Sequence, residues 1–369
     1  MKIKPALFIF ITIIAFLFNC GKSDKTYTIE IKDGVNYVHN HAPMWGDTLK
    51  VALEFVQKIG DLDTEDENYQ LYKPCDIVRD FYENLYVLDR GNYRIQKYDK
   101  NGKYIMTIGR EGEGPGEFSN PVRLQIDSEE NLYVGDTGCI MVFTNNGKEI
   151  KIIRLSMARS FHRTHAGNIL TPTSRSKRVA SENVAKDTRL ICLHDNDGNL
   201  IKEFGELKDY GDRDYTRYGN NFVMSLDSDD NLYIAFRNQN RIEKYSHAGE
   251  LIFRAERPLN YKLTHEMETI IFPPDIREEP LILPKFTHVT VAMGVDHKNR
   301  IWVQTYKKQR EEGDNPGDYL EFEIYDVNGI LLGKYPVQQT GYIEIRQDRL
   351  YFIDSHEEMC VYEYKIVEK

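Results

Sequence analysis

The chain has little with which to hold nucleic acid. Its 48 lysines and arginines are outnumbered by 58 aspartates and glutamates, giving a formal net charge of −10 over 369 residues, and no basic stretch exceeds a few residues. Phosphate affinity needs a clustered basic field, so no nucleic-acid partner is expected. Metal and nucleophile signatures are equally scarce. There are five cysteines, with no Cys-x-x-Cys spacing, and ten scattered histidines. The pair His162 and His165 lies on a strand, where residues three apart face opposite sides, so they do not share a metal. No Gly-x-Ser-x-Gly elbow is present. Residues 109–116 are glycine-rich, but they lack the Gly-Lys-Ser/Thr ending of a phosphate loop and precede a strand. Asp195-Asn-Asp-Gly-Asn199 imitates a calcium loop, yet Leu200 stands where its glycine belongs. No catalytic residue, metal or cofactor is therefore assigned.

Apolar runs are short as well. The longest, residues 6–18, follows Lys2 and Lys4 and is too brief to span a bilayer. It reads as a signal peptide over residues 1–19. Leu17-Phe18-Asn19-Cys20 resembles a bacterial lipoprotein processing site, which implies lipidation of Cys20 and attachment to the membrane through that lipid alone. Residues 20–48 are then a lead-in to the folded part. Cys75, Cys139, Cys192 and Cys360 each fall in an apolar strand-like run and are expected to be buried free thiols.

What is plentiful is repetition. Pro74-Cys-Asp-Ile-Val-Arg-Asp80 followed by Asn84-Leu-Tyr-Val-Leu-Asp89 is echoed by Pro121-Val-Arg-Leu-Gln-Ile-Asp127 followed by Asn131-Leu-Tyr-Val-Gly-Asp136. Further copies centre on Leu170, Tyr233, Trp302 and Tyr351, which makes six units with the anchors Tyr86 and Tyr133. Each unit reads as four short strands, a to d, with a glycine turn between c and d, as at Gly102, Gly147, Gly198, Gly249 and Gly329. The sixth unit lacks strand d. Leu53-Glu-Phe-Val-Gln-Lys-Ile-Gly60 matches the d strand of the first unit, so the chain opens with the strand that its last unit lacks. Such an offset closes a ring and removes an exposed edge. The fold class is all-β, a six-bladed β-propeller over residues 49–367. A seventh anchor is missing, and an open solenoid would need no offset. The repeated Asp89, Asp136 and Asp354 are expected to bond amides of the loops that follow them.

The stretch Asn-Leu-Tyr-Val-x-Asp-x-x-Asn-x-Arg-Ile over residues 84–95, with Gly109-Arg-Glu-Gly-Glu-Gly-Pro-Gly-Glu-Phe118, resembles the NHL repeat. The whole chain is similar to six-bladed propeller lipoproteins of Bacteroidetes envelopes. This resemblance implies a lipid-anchored place in the cell envelope, at the outer membrane, and carries little chemistry.

In a propeller, d-to-a and b-to-c connections emerge on one face, and a-to-b and c-to-d turns on the other. The first set holds every insertion, at residues 60–72, 109–120, 172–188, 205–221, 256–285 and 306–318. Long loops on one face of a rigid ring form a binding surface for a protein, peptide or glycan. Candidate ligand-binding residues there are Tyr210, Arg213, Tyr215, Arg217 and Tyr218, with Arg175, Arg178 and Arg310 adding positive charge. Residues 264–272, with Glu266, Met267, Ile270 and Ile271 near helical spacing, are expected to form a short helix capping this face. The alternative function is a metal-dependent hydrolase or lyase at the channel mouth, drawing on Asp76, Arg123, His162, His288 or Tyr342.

Overall fold

The computed structural model describes residues 25–173, 186, 188–271, 280–337, 339 and 341–369. The signal segment, Cys20, Arg175 and Arg178 lie outside the described residues. Six antiparallel sheets of four strands, one of them extended, follow one another along the chain as a six-bladed β-propeller. Among the described residues no helix is long and apolar enough to cross a membrane.

Sequence dictates the position of each strand in its blade. The b strands Leu85–Asp89, Leu132–Asp136 and Leu232–Phe236 are buried at every residue, because both faces of a middle strand pack on neighbouring blades. The d strands Tyr104–Ile108 and Glu149–Arg154 alternate between half-buried and exposed, as outer strands should. The core therefore lies between blades. Val78, Leu88 and Ile95 of the first meet Leu124, Val134 and Phe143 of the second.

One turn chemistry recurs where strand a ends. The Asp127 carboxylate accepts the backbone N–H of Asn131 at 2.8 Å and the Tyr133 hydroxyl at 3.1 Å, and Asp227 holds Asn231 and Tyr233 in the same way at 2.9 and 3.0 Å. This explains the Asp, Asn and Tyr of the repeat. The bonds also hold Glu130 (φ 63°) and Asp230 (φ 60°) in the left-handed region without glycine. At the c-to-d turns glycine takes that role, as at Gly102 (φ 78°) and Gly198 (φ 89°).

The last blade consists of Tyr342–Arg346, Arg349–Asp354, Cys360–Glu368 and, as its outer strand, β3 (Val51–Ile59), paired antiparallel with Cys360–Glu368. The lead-in is itself folded. β1 (Tyr27–Lys32) and β2 (Val35–Asn40) form a hairpin, and β2 runs parallel to Leu251–Glu256, so the fourth blade has six strands. Asn40 fastens it by donating from Nδ2 to the carbonyls of Glu256 and Gly329 and accepting from the Leu331 amide.

Two local expectations are corrected. His265–Ile270 is not a helix but a strand, paired with Leu281–Phe286, and residue 272 lies outside the described residues. Its apolar residues come near helical spacing, yet a partner strand satisfies its backbone and Thr269 and Ile270 are β-branched. Residues 213–219, read as loop, form helix α1 (Arg213–Gly219), whose first turn is capped by Asp212 accepting from the amides of Asp214 and Tyr215.

Candidate functional site

The innermost strands of the six blades ring a central channel, and charged side chains cross it. Arg123 donates to Glu344 and, through Nη2, to Nε2 of His162 at 3.2 Å, while its Nη1 lies 3.4 Å from Asp76. Arg346 approaches Glu344 at 3.2 Å from the other side. Burial opposes ionisation of Glu344, but Arg123 and Arg346 override it and hold the carboxyl below its usual value. Burial pushes the Asp76 carboxyl up to about 6, with Glu344 adding to the shift and Arg123 opposing it. His162 is driven well below its ordinary 6.5, first by burial and then by Arg123 and Arg346. It is therefore neutral, and its Nε2 lone pair is already engaged.

Above this network, on the face of the long connections, the channel opens into a cavity of about 380 Å³ to which every blade contributes. Its walls include Phe222, Met224, Val291, Met293 and Ile343, and four arginines line it against a single carboxylate, Glu344. Arg123 is matched by Glu344. Among the described residues Arg90, Arg159 and Arg237 form no ion pair. The Arg90 Nε donates to Asn120 at 3.1 Å and the Arg237 Nη1 to the Val291 carbonyl at 2.9 Å. Burial lowers the Arg237 pKa, with only the tyrosines Tyr342 and Tyr306 working the other way. Arg90 and Arg237 are half-buried and Arg159 is exposed; half-buried cationic charge without a counter-ion is costly, which makes this mouth receptive to an anion.

The opposite face is built differently. Its a-to-b connections over residues 80–84, 127–131, 164–168, 227–231 and 296–300 are uniformly short. Those of the first three blades, with the turn over residues 346–349 of the last, line a second cavity of about 650 Å³, whose arginines are Arg79, Arg163, Arg346 and Arg349. Each of these has a carboxylate partner: Glu363 for Arg79 at 2.7 Å and for Arg349 at 3.0 Å, Asp127 for Arg163 at 3.9 Å, Glu344 for Arg346 at 3.2 Å. The size of this cavity is offset by its neutralised lining.

The long connections are pinned from below by the repeated aspartates. Asp354 accepts the amides of His356 and Glu357, in the loop that follows it. Asp136 likewise accepts the amide of Thr137 that follows it, and both Asp89 and Asp136 reach the crossover loops that precede strand a of their blades. Asp89 takes the Tyr72 amide at 2.7 Å, and Asp136 takes those of Ser119 at 2.9 Å and Asn120 at 2.7 Å. Of the four thiols, Cys192 and Cys360 are buried and Cys75 and Cys139 half-buried.

None of the described ligand-binding candidates lines the loop-face cavity, whereas Arg123, His162 and Tyr342 of the alternative set do. Tyr210 and Tyr215 hold α1 against the strand pair His265–Ile270 and Leu281–Phe286, with ring centroids 5.7 and 5.9 Å from Phe286 and 5.5 and 4.4 Å from His265. Arg217 binds Asp214 at 3.2 Å and covers the Tyr218 ring, Arg310 covers Tyr319, and Arg213 is exposed at the start of α1. Of the metal-site candidates, Asp76 spends its oxygens on the amides of Ile77 and Leu124, and His288 stacks on Tyr306 at 5.6 Å. Tyr342 is half exposed and lines the mouth. Among the described residues no group of three or more metal-ligating side chains occurs. Arg90 and Arg237 were missed, although the repeat marks both: each lies four residues beyond its anchor, Tyr86 or Tyr233, where strand b reaches the mouth.

Residues 48–168 match the profile of a family described as a 6-bladed beta-propeller, DUF5128. A Bacteroides fragilis protein described as exported is similar in structure, with a TM-score of 0.57 and 13% identity over 90% of this chain and 99% of its own. A member of the DUF4221 family from Bacteroides vulgatus gives 0.54 and 10% identity over 87% and 99%. At these identities the likeness is one of fold. No curated protein matches the sequence.

Proposed function

We propose that this protein is a lipid-anchored envelope propeller of the NHL-repeat type, acting as a binding or scaffolding module for a protein, peptide or glycan through its loop-rich face. The observation that carries the reading is the asymmetry of the ring. Long connections, α1 packed by aromatic rings on a strand pair, and a cavity fed by all six blades share one face, while the other has short turns and paired charge. The anchor rests on the apolar run ending at Cys20, and the outer-membrane address on the resemblance to envelope lipoproteins. The alternative, a metal-dependent hydrolase or lyase at the channel mouth, gains no support from donors already engaged by amides and by Arg123.

Crosslinking in the native cell, followed by purification of the full chain, is the test. Arg213→Ala and Arg310→Ala, on the loop face, should reduce recovery of the crosslinked partner. Glu129→Ala and Asp229→Ala, on exposed turns of the far face, should leave it unchanged. Loss of the partner with the second pair and not the first would place binding on the wrong face.

A further inference from the structure

The lining of the loop-face cavity is specific about what it would accept. Sugars are held by carboxylates and amides that bond their hydroxyls, and this lining has no Asp, Asn or Gln and one Glu that is already bound by two arginines. What it offers instead is an apolar wall, including Phe222, Met224 and Met293, together with guanidinium groups that lack a counter-ion. Arg90 and Arg237 project from the ends of their b strands, held in place through Asn120 and the Val291 carbonyl. Arg159 is exposed at the rim. A guanidinium presents a planar fork matched to a carboxylate, and in a cavity partly shut off from water such a pair is stronger than at an open surface.

We propose that the channel mouth is a receptor for a carboxylate carried on an apolar body, with Arg90, Arg159 and Arg237 taking the carboxylate and the Phe222, Met224 and Met293 wall taking the body. The chemistry has two natural sources, the C-terminus of a peptide ending in an apolar residue and a free aliphatic acid. This inference rests on the loop-face reading for its setting, but it makes its own claim about the ligand. The cavity volume of about 380 Å³ lies within the range of small-ligand pockets, which suits an end group and not a folded surface. The neutral His162 beneath adds no competing positive charge that would vary near neutral pH.

Isothermal titration of the full chain with hexanoate, hexanamide, acetate, and the free-acid and amidated forms of N-acetyl-Gly-Gly-Leu tests it on unaltered protein. The acids should bind at least about tenfold more tightly than their amides, since a hydrogen-bonded ion pair is lost. Hexanoate should exceed acetate by about tenfold or more, from the buried methylenes. Arg159→Gln and Arg237→Gln should each weaken hexanoate on the order of tenfold, and Phe81→Ser, on the far face, should not. A tripeptide acid that binds better than hexanoate identifies the peptide source, and the reverse order the free acid. Equal binding of acids and amides, or no binding of either acid, would overturn the proposal. A cellular partner lost with Arg213→Ala but not competed by hexanoate would overturn it too, while leaving the loop-face reading intact. Binding of hexanoate with a partner indifferent to the loop-face variants would do the opposite.

Discussion

At the turn face of the channel, Arg79, Arg163, Arg346 and Arg349 each have a carboxylate oxygen 2.7 to 3.9 Å away. At the loop face, Arg90, Arg159 and Arg237 line a cavity of similar construction and, among the described residues, have none. The turn-face arginines are fasteners. Glu363, fully buried on the third strand of the last blade, receives Arg79 from the first blade, Arg349 from its own, and Gln57 of β3 at 2.6 Å. That cluster joins the strand that completes the last blade to the blade beside it. The loop-face arginines Arg90 and Arg237 reach only neutral acceptors, Asn120 and the Val291 carbonyl. A buried charge is tolerated when it is paired and burdens a fold when it is not, so half-buried arginines left without a carboxylate at the rim of a cavity, Arg90 and Arg237, are better explained by what enters it.

The comparison can be broken most forcefully at Glu363. Glu363→Gln should cost about 3 kcal/mol, because it leaves Arg79 and Arg349 without their buried partner. Urea unfolding measures it, and a loss near zero would mean that the turn-face pairs are ornamental. Next in size is the pinning of the loop face. Asp136→Ala strips the Ser119 and Asn120 amides of their acceptor and should cost about 2 kcal/mol, with faster proteolysis within residues 109–120.

The third effect depends on pH. The folded pKa of His162 is depressed, so its contribution is complete above its unfolded value of 6.5 and is lost as pH falls below that. Between pH 6 and 5 the unaltered protein should lose up to about 1.4 kcal/mol more than His162→Gln, which has no proton to take up in the unfolded chain. Parallel stability profiles would show that His162 titrates normally. The smallest change is expected at Arg237. Arg237→Gln removes a guanidinium that has no counter-ion and keeps a donor for the Val291 carbonyl, so it should shift stability by no more than about 0.5 kcal/mol in either direction. A loss as large as that of Glu363→Gln would make the two mouths alike.

Most of the ring was legible in the sequence because each unit solves the same physical problem with the same residues. The Asp, Asn and Tyr of the a-to-b turn recur as one hydrogen-bonded device, and the match of residues 53–60 to a d strand located the outer strand of the last blade. The lead-in hairpin had a readable signal, Asp33-Gly34 between alternating residues, with φ of 51° and 82°. It lay outside the repeat and was read as a connection. The strand His265–Ile270 was misread because its pairing partner is about fifteen residues away, beyond any local periodicity. The candidate tyrosines were chosen by composition. Tyr210 and Tyr215 turned inward because a helix capped by Asp212 needs something to rest on, and Phe286 and His265 supply it. Arg90 and Arg237 escaped notice because nothing in the residue itself distinguishes a guanidinium with a carboxylate from one without. Only the three-dimensional arrangement of the acids does that.

The central claim, that the charge of one mouth is available and that of the other is spent, can be read directly from the arginine side chains. Each Nε–H gives its own nuclear magnetic resonance signal, and acetate can be titrated into chloride-free buffer while all of them are followed. The account predicts saturable shifts for Arg90, Arg159 and Arg237, with Arg79, Arg163, Arg346 and Arg349 unmoved. Shifts confined to the turn-face set, or equal in both, would contradict it.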